Sequence, residues 1–122
     1  MAKVTIQGKE YDLFLGLYAM EQIENKYGDM KTALEQFRKD RKIGTVKDFF
    51  VAMANNGRKK AKLPMDVTAE ELDVFSLADL SAISQAMSQA LDEGARTEVV
   101  GGGEADDEAY DALAAEYDEK NG

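Results

Sequence analysis

The stretch Val4-Thr5-Ile6-Gln7-Gly8-Lys9-Glu10-Tyr11-Asp12-Leu13-Phe14 decides how this chain is read. Val4, Ile6, Tyr11 and Leu13 alternate with polar neighbours, as a sheet with one buried face requires. Gln7 to Glu10 reads as the turn, because Gly8 takes a positive φ without a Cβ penalty. A β-hairpin therefore opens the chain. From Gly16 the apolar period changes from two to that of a helix.

Leu17, Met20, Ile23 and Tyr27 are expected on the inner face of the first helix, which Gly28 ends. Asp29 is the expected N-cap of the next, with Met30, Ala33, Leu34 and Phe37 inward. Thr45 and Asp48 resemble a capping box. The helix they open carries Val46, Phe49, Phe50 and Met53, and Asn56-Gly57 is expected to close it. Residues 58–67, with Pro64, read as a loop. Thr68 and Glu71 form a second capping box ahead of a short helix through Phe75. Ser76 then caps the longest helix, with Leu77, Leu80, Ile83, Met87 and Leu91 inward and Gly94 as its stop.

Beyond Gly94 the character changes. Residues 93–122 hold ten acidic and two basic side chains, a net −8, whereas residues 1–92 hold 14 acidic and 13 basic ones, a net −1. Gly101-Gly102-Gly103 marks a hinge. Thr97 to Val100 reads as a short edge strand. Tyr110, Leu113, Ala114 and Tyr117 recur at i, i+3, i+4 and i+7, the stripe of a short amphipathic helix with an acidic back. The division is an α+β core domain over 1–94 and a Gly-hinged acidic C-terminal tail over 95–122. The fold class is α+β: an N-terminal β-hairpin, a small antiparallel sheet, packed on four to five helices.

At 122 residues the chain fits one domain, and a fold of that size buries roughly two-thirds of the surface its unfolded chain exposes. There is no Cys and no His, which removes thiolate chemistry, disulfides and the commonest general base and metal ligand. The longest apolar run, Phe49 to Ala54, is too short for a membrane span. Met1-Ala-Lys-Val lacks the apolar stretch of a secretion signal, so a cytoplasmic protein is expected. A net charge of −9 opposes general nucleic-acid binding, which needs a basic face.

Candidate chemistry is sparse. Asp106-Asp107-Glu108 lacks the alternating ligands and turn glycine of a calcium loop and reads as solvated charge. The triple glycine is followed by acids rather than Lys-Ser/Thr, so it is no phosphate loop. No catalytic, cofactor or metal residues are expected, and the protein is read as not an enzyme. Two binding candidates remain. Tyr110, Leu113 and Tyr117 suit a partner or self-association, because an isolated helix of that length is marginal in water. Arg58, Lys59, Lys60 and Lys62 form a basic patch. It complements a helix C-terminus, binds RNA, DNA or an acidic partner, or holds the chain's own acidic tail; the absence of interleaved aromatics for base stacking counts against nucleic acid.

The order of elements carries a resemblance. Ile6-Gln7-Gly8-Lys9-Glu10-Tyr11 precedes a helix worded Leu17-Tyr18-Ala19-Met20-Glu21-Gln22-Ile23-Glu24-Asn25-Lys26-Tyr27-Gly28. A short helix follows, then Thr45-Val46-Lys47-Asp48 leading to Asn56-Gly57-Arg58. Residues 3–92 thereby resemble the tail assembly chaperones of long-tailed bacteriophages and prophages. The resemblance implies a protein that coats the tape measure protein, recruits tail tube subunits, works in the cytoplasm of the infected or lysogenic host, and is absent from the mature virion. It implies no cofactor, nucleic acid or membrane. It also implies a second, frameshifted product. Glu119-Lys120-Asn121 is encodable as GAA AAA AAC, which contains a −1 slippery heptamer, and a gene with other codons there removes that site. Two alternatives stand beside it. One is an acidic DNA mimic that inhibits a host nucleic-acid-binding protein, against which the placement of the charge in a hinged tail counts. The other is a structural tail or connector subunit of the virion.

Overall fold

The computed structural model describes residues 2–94. The hairpin forms as β1 (Ala2–Ile6) and β2 (Lys9–Leu13), antiparallel, with Val4 opposite Tyr11 and Ala2 opposite Leu13. The turn is tighter than the sequence suggested. Only Gln7 and Gly8 lie outside the strands, with φ of 51° and 83°, so Lys9 and Glu10 already belong to β2. Two consecutive positive φ values match the right-handed twist of the strands. The inner face is Ala2, Ile6, Tyr11 and Leu13, all buried.

Helix α1 (Leu17–Tyr27) ends at Gly28, whose φ is 95°. Helix α2 (Met30–Glu35) is capped as expected, the Thr32 N–H donating to Asp29 Oδ1 at 2.7 Å. It continues into one π-helical turn, Gln36–Asp40, which ends at Arg41 in the left-handed region. Helix α3 (Ile43–Lys60) is the centre of the molecule. It packs on α1, on β2 and on α4 (Leu77–Gly94), and a 3₁₀ segment (Ala69–Val74) covers it further. Phe49, Phe50 and Met53 on α3 are fully buried with Leu13, Phe37, Ile83 and Met87. Phe37 stacks on Phe49 with centroids 4.7 Å apart, and Tyr11 meets Phe50 edge-on at 5.0 Å. Each such ring contributes about 1.5–3 kcal/mol by leaving water.

Four expectations are corrected here. Thr45 and Asp48 do not open α3. The helix starts at Ile43, Thr45 is buried within it, and Asp48 instead receives Lys26 Nζ at 2.7 Å and the Tyr27 hydroxyl at 2.6 Å. Asn56-Gly57 does not end α3, which runs one turn further, so the loop after it begins at residue 61 rather than 58. Leu17 and Leu77 do not face inward, each being 82% exposed. Both are first-turn residues that project past the core. The inner stripe of α1 is built on Ala19 and Ile23, and that of α4 on Ile83, Ala86, Met87, Ala90 and Leu91.

The reason α3 continues through Asn56-Gly57 is tertiary. β2 and the segment after it cross the helix at close range: the Phe14 N–H donates to Met53 O at 3.1 Å, and Gly57 lies under Asp12. A Cβ at Gly57 would sit 2.0 Å from the Asp12 carbonyl oxygen. The two asparagines beside it replace missing local partners. Asn56 Oδ1 accepts from the Gly16 and Ala19 N–H groups, both at 2.9 Å, and so caps α1, which has no side-chain cap of its own. Asn55 holds Val67 in both directions, Nδ2 donating to its carbonyl and Oδ1 accepting from its N–H, each at 2.9 Å.

The 3₁₀ segment keeps its capping box, Glu71 Oε1 accepting from the Thr68 N–H at 2.9 Å. Glu71 Oε2 also receives the Tyr11 hydroxyl at 2.7 Å and Lys9 Nζ at 3.0 Å, which ties the hairpin to that segment. Burial pushes the Glu71 carboxyl up, but these three donors outweigh it and hold the group below the usual carboxylate range. Burial and the neighbouring Glu71 push the Tyr11 hydroxyl well above its ordinary range. Because Glu71 is more acidic folded than unfolded, its contribution is complete above the unfolded value, about 4.3, and is lost as pH falls through the folded value. Glu71→Gln is therefore expected to cost about 1 kcal/mol at neutral pH and to flatten the acid limb of stability, read by urea unfolding at pH 7 and pH 3. An acid limb as steep as that of the parent would remove Glu71 from the cause.

Candidate partner-binding surface

Three surface grooves bear on binding. The first, about 280 Å³, lies between α1 and α3 beside Tyr18, Gln22 and Asn55. Its polar ends are engaged with each other through Lys26, Tyr27 and Asp48. A second, about 400 Å³, runs along the start of α4 from Leu77 and Leu80 to Arg41 and Val46.

The third, about 410 Å³, lies where β2 passes into α1. Leu13, Phe14 and Leu15 line it from the strand side, Leu17 and Met20 from α1, and Ala90, Glu93 and Gly94 from α4. Leu17 stands at its mouth, exposed. Gly94 closes one end and lies against Leu15, so closely that a Cβ there would come within 2.7 Å of the Leu15 Cβ. Lys60 sits on the rim, its ammonium 4.2 Å from the centre of the Phe14 ring.

The structure divides the basic patch. Arg58 is turned inward on the loop after α3, its Nε donating to Pro64 O and lying 3.1 Å from Asp66 Oδ1. Lys59 lies 5.7 Å from the Tyr18 ring, and Lys60 over Phe14, as cations on aromatic faces. Lys62 follows the helix at φ 61°. So Arg58 belongs to the loop's own closure, Lys59 sits over Tyr18 of the first groove, and Lys60 puts positive charge on the rim of the third. Tyr110, Leu113 and Tyr117 lie outside the described residues, as do the triple glycine and Thr97–Val100.

Sequence reading placed Leu17 in the core and so missed this groove. A signal was present: Leu13-Phe14-Leu15-Gly16-Leu17 holds four large apolar residues around one glycine. A chain passing from strand to helix cannot turn all four inward, because the side-chain period changes at that point.

No protein-family model, curated protein or solved structure matches this chain. Among the described residues, no group of three or more acidic side chains is placed to hold a metal ion, and no helix is long and apolar enough to cross a membrane.

Proposed function

We propose that this protein is a non-enzymatic chaperone of phage tail assembly, which binds the tape measure protein through apolar contacts and recruits tail tube subunits in the cytoplasm of the bacterial host. It acts before the virion is complete and is not carried in it. The observation that carries the reading is the third groove: an open apolar wall, an exposed leucine at its mouth and Lys60 on its rim. That combination suits an amphipathic helix with an apolar stripe and acidic flanks. A long helical partner offers many such stripes, and a shallow groove that releases each one readily suits transient coating. The succession of hairpin, helix, short helix and core helix supports the same reading through the resemblance it carries.

The reading requires a gene for a long helical tape measure protein near this one. Co-expression of the two is expected to yield a soluble complex, where the tape measure protein alone is insoluble. Leu17→Ser should leave the unfolding midpoint unchanged, since the side chain is already in water. It should weaken the complex about tenfold, the value of one leucine buried at an interface. A tape measure protein that stays insoluble, or a complex indifferent to Leu17, would overturn the reading.

A further inference from the structure

We infer that the third groove is the docking site of the chain's own C-terminal segment, residues 107–118, with Tyr110, Leu113 and Tyr117 on the groove wall. The argument rests on where the chain leaves the body, on charge and on pattern. It does not depend on the tape measure reading.

The last described residue, Gly94, lines the groove and packs against Leu15. The segment after it therefore starts at the groove's own edge. Fifteen residues separate Gly94 from Tyr110, and they include Gly101-Gly102-Gly103. Extended chain spans about 3.3–3.6 Å per residue, so this tether reaches back over the groove with length to spare.

The groove is apolar where the segment is apolar. Leu13, Phe14, Leu17 and Met20 form the wall, and Tyr110, Leu113, Ala114 and Tyr117 recur at the spacing of one helical face. Charge matches along the side. In a helix, Asp107, Asp111 and Asp118 fall along one flank of that stripe, at i, i+4 and i+11. Lys60 supplies the opposite sign at the groove's rim and is the one basic side chain among the lining residues, which also include Glu93 of α4. Residues 95–122 carry nine acidic side chains against two basic ones, so Lys60 is a complement of a kind this segment is short of within itself.

A tethered occupant also outcompetes a free one of equal affinity, because a short linker gives an effective concentration in the millimolar range. The tail is thus a built-in occupant, and an outside helix must displace it before entering.

The chain has no cysteine, so a disulfide between introduced cysteines reports the contact in the full-length protein. Glu21→Cys stands one turn after Leu17 on α1, and Ala114→Cys lies within the tail stripe. Glu35→Cys on α2 with Ala114→Cys is the comparison pair. In dilute protein, the Glu21 pair is expected to close within one chain about tenfold faster with the stripe intact than with Tyr110→Ser, Leu113→Ser and Tyr117→Ser together. The Glu35 pair should not respond. Equal rates with and without the stripe, or the same change in both pairs, would overturn the proposal. Disulfides formed only between chains would overturn it too, assigning the groove to a second copy.

Discussion

Gly57→Ala is expected to destabilise the protein by about 3 kcal/mol or more, the severe end of overpacking. Helix propensity alone gives the opposite sign, since Ala is favoured over Gly in a helix interior by about 0.5–1 kcal/mol. The clash decides between them. The added Cβ would meet the Asp12 carbonyl oxygen at 2.0 Å, and that oxygen belongs to backbone pinned by strand pairing and by the Phe14 to Met53 hydrogen bond. Gly44→Ala is the matched control in the same helix. Nothing lies within 4 Å of its added Cβ, so it should be neutral or stabilising by up to about 0.5 kcal/mol. Urea midpoints of the two variants, with unchanged m-values, test the pair; midpoints that move together would show that the approach of β2 to α3 is not tight.

The second large effect belongs to Asn56. Asn56→Ala removes the acceptor for the Gly16 and Ala19 N–H groups, and Ala19 is fully buried. Leaving two donors unpaired at the start of α1 should cost about 3 kcal/mol in total. The loss is not confined to global stability. Amide exchange at Gly16 and Ala19 should accelerate beyond what the global change explains, because the first turn of α1 has no other side-chain cap. A variant in which these two amides keep their protection would show that another group caps the helix.

These two positions also mark how far the sequence could be read. The hairpin, the switch to helical period at Gly16, the Asp29 cap and the Thr68–Glu71 box were legible because each depends on residues a few positions apart. So were Phe37, Phe49, Phe50 and Met53, whose spacing marks a buried face. What escaped depends on long-range partners. Asn-Gly is ordinarily a helix-ending pair, and only the passage of β2 over α3 makes it an interior one. Asp48 has the spacing of a cap, but two side chains from α1 reach it first. Leu17 fits an apolar period and still faces water, because α1 turns Ala19 and Ile23 to the core and leaves its first residue beyond it. The groove that results was therefore invisible as a site, although the residues on both sides of it were noticed.

The buried Asn56-Gly57 pair has a consequence for chemical ageing. Asparagine followed by glycine is the dipeptide most prone to lose its side-chain ammonia, because the glycine nitrogen can attack the side-chain carbonyl carbon through a five-membered ring. Asparagine lability of this kind ordinarily limits how long a protein survives heat. Here the glycine nitrogen is held in helical geometry and the asparagine oxygen is occupied by two N–H groups of another helix. The ring cannot close without first opening the contact between α1 and α3. Deamidation at this one position thus runs at the pace of that opening, and the damage, once done, leaves a carboxylate beneath α1 where an amide had been.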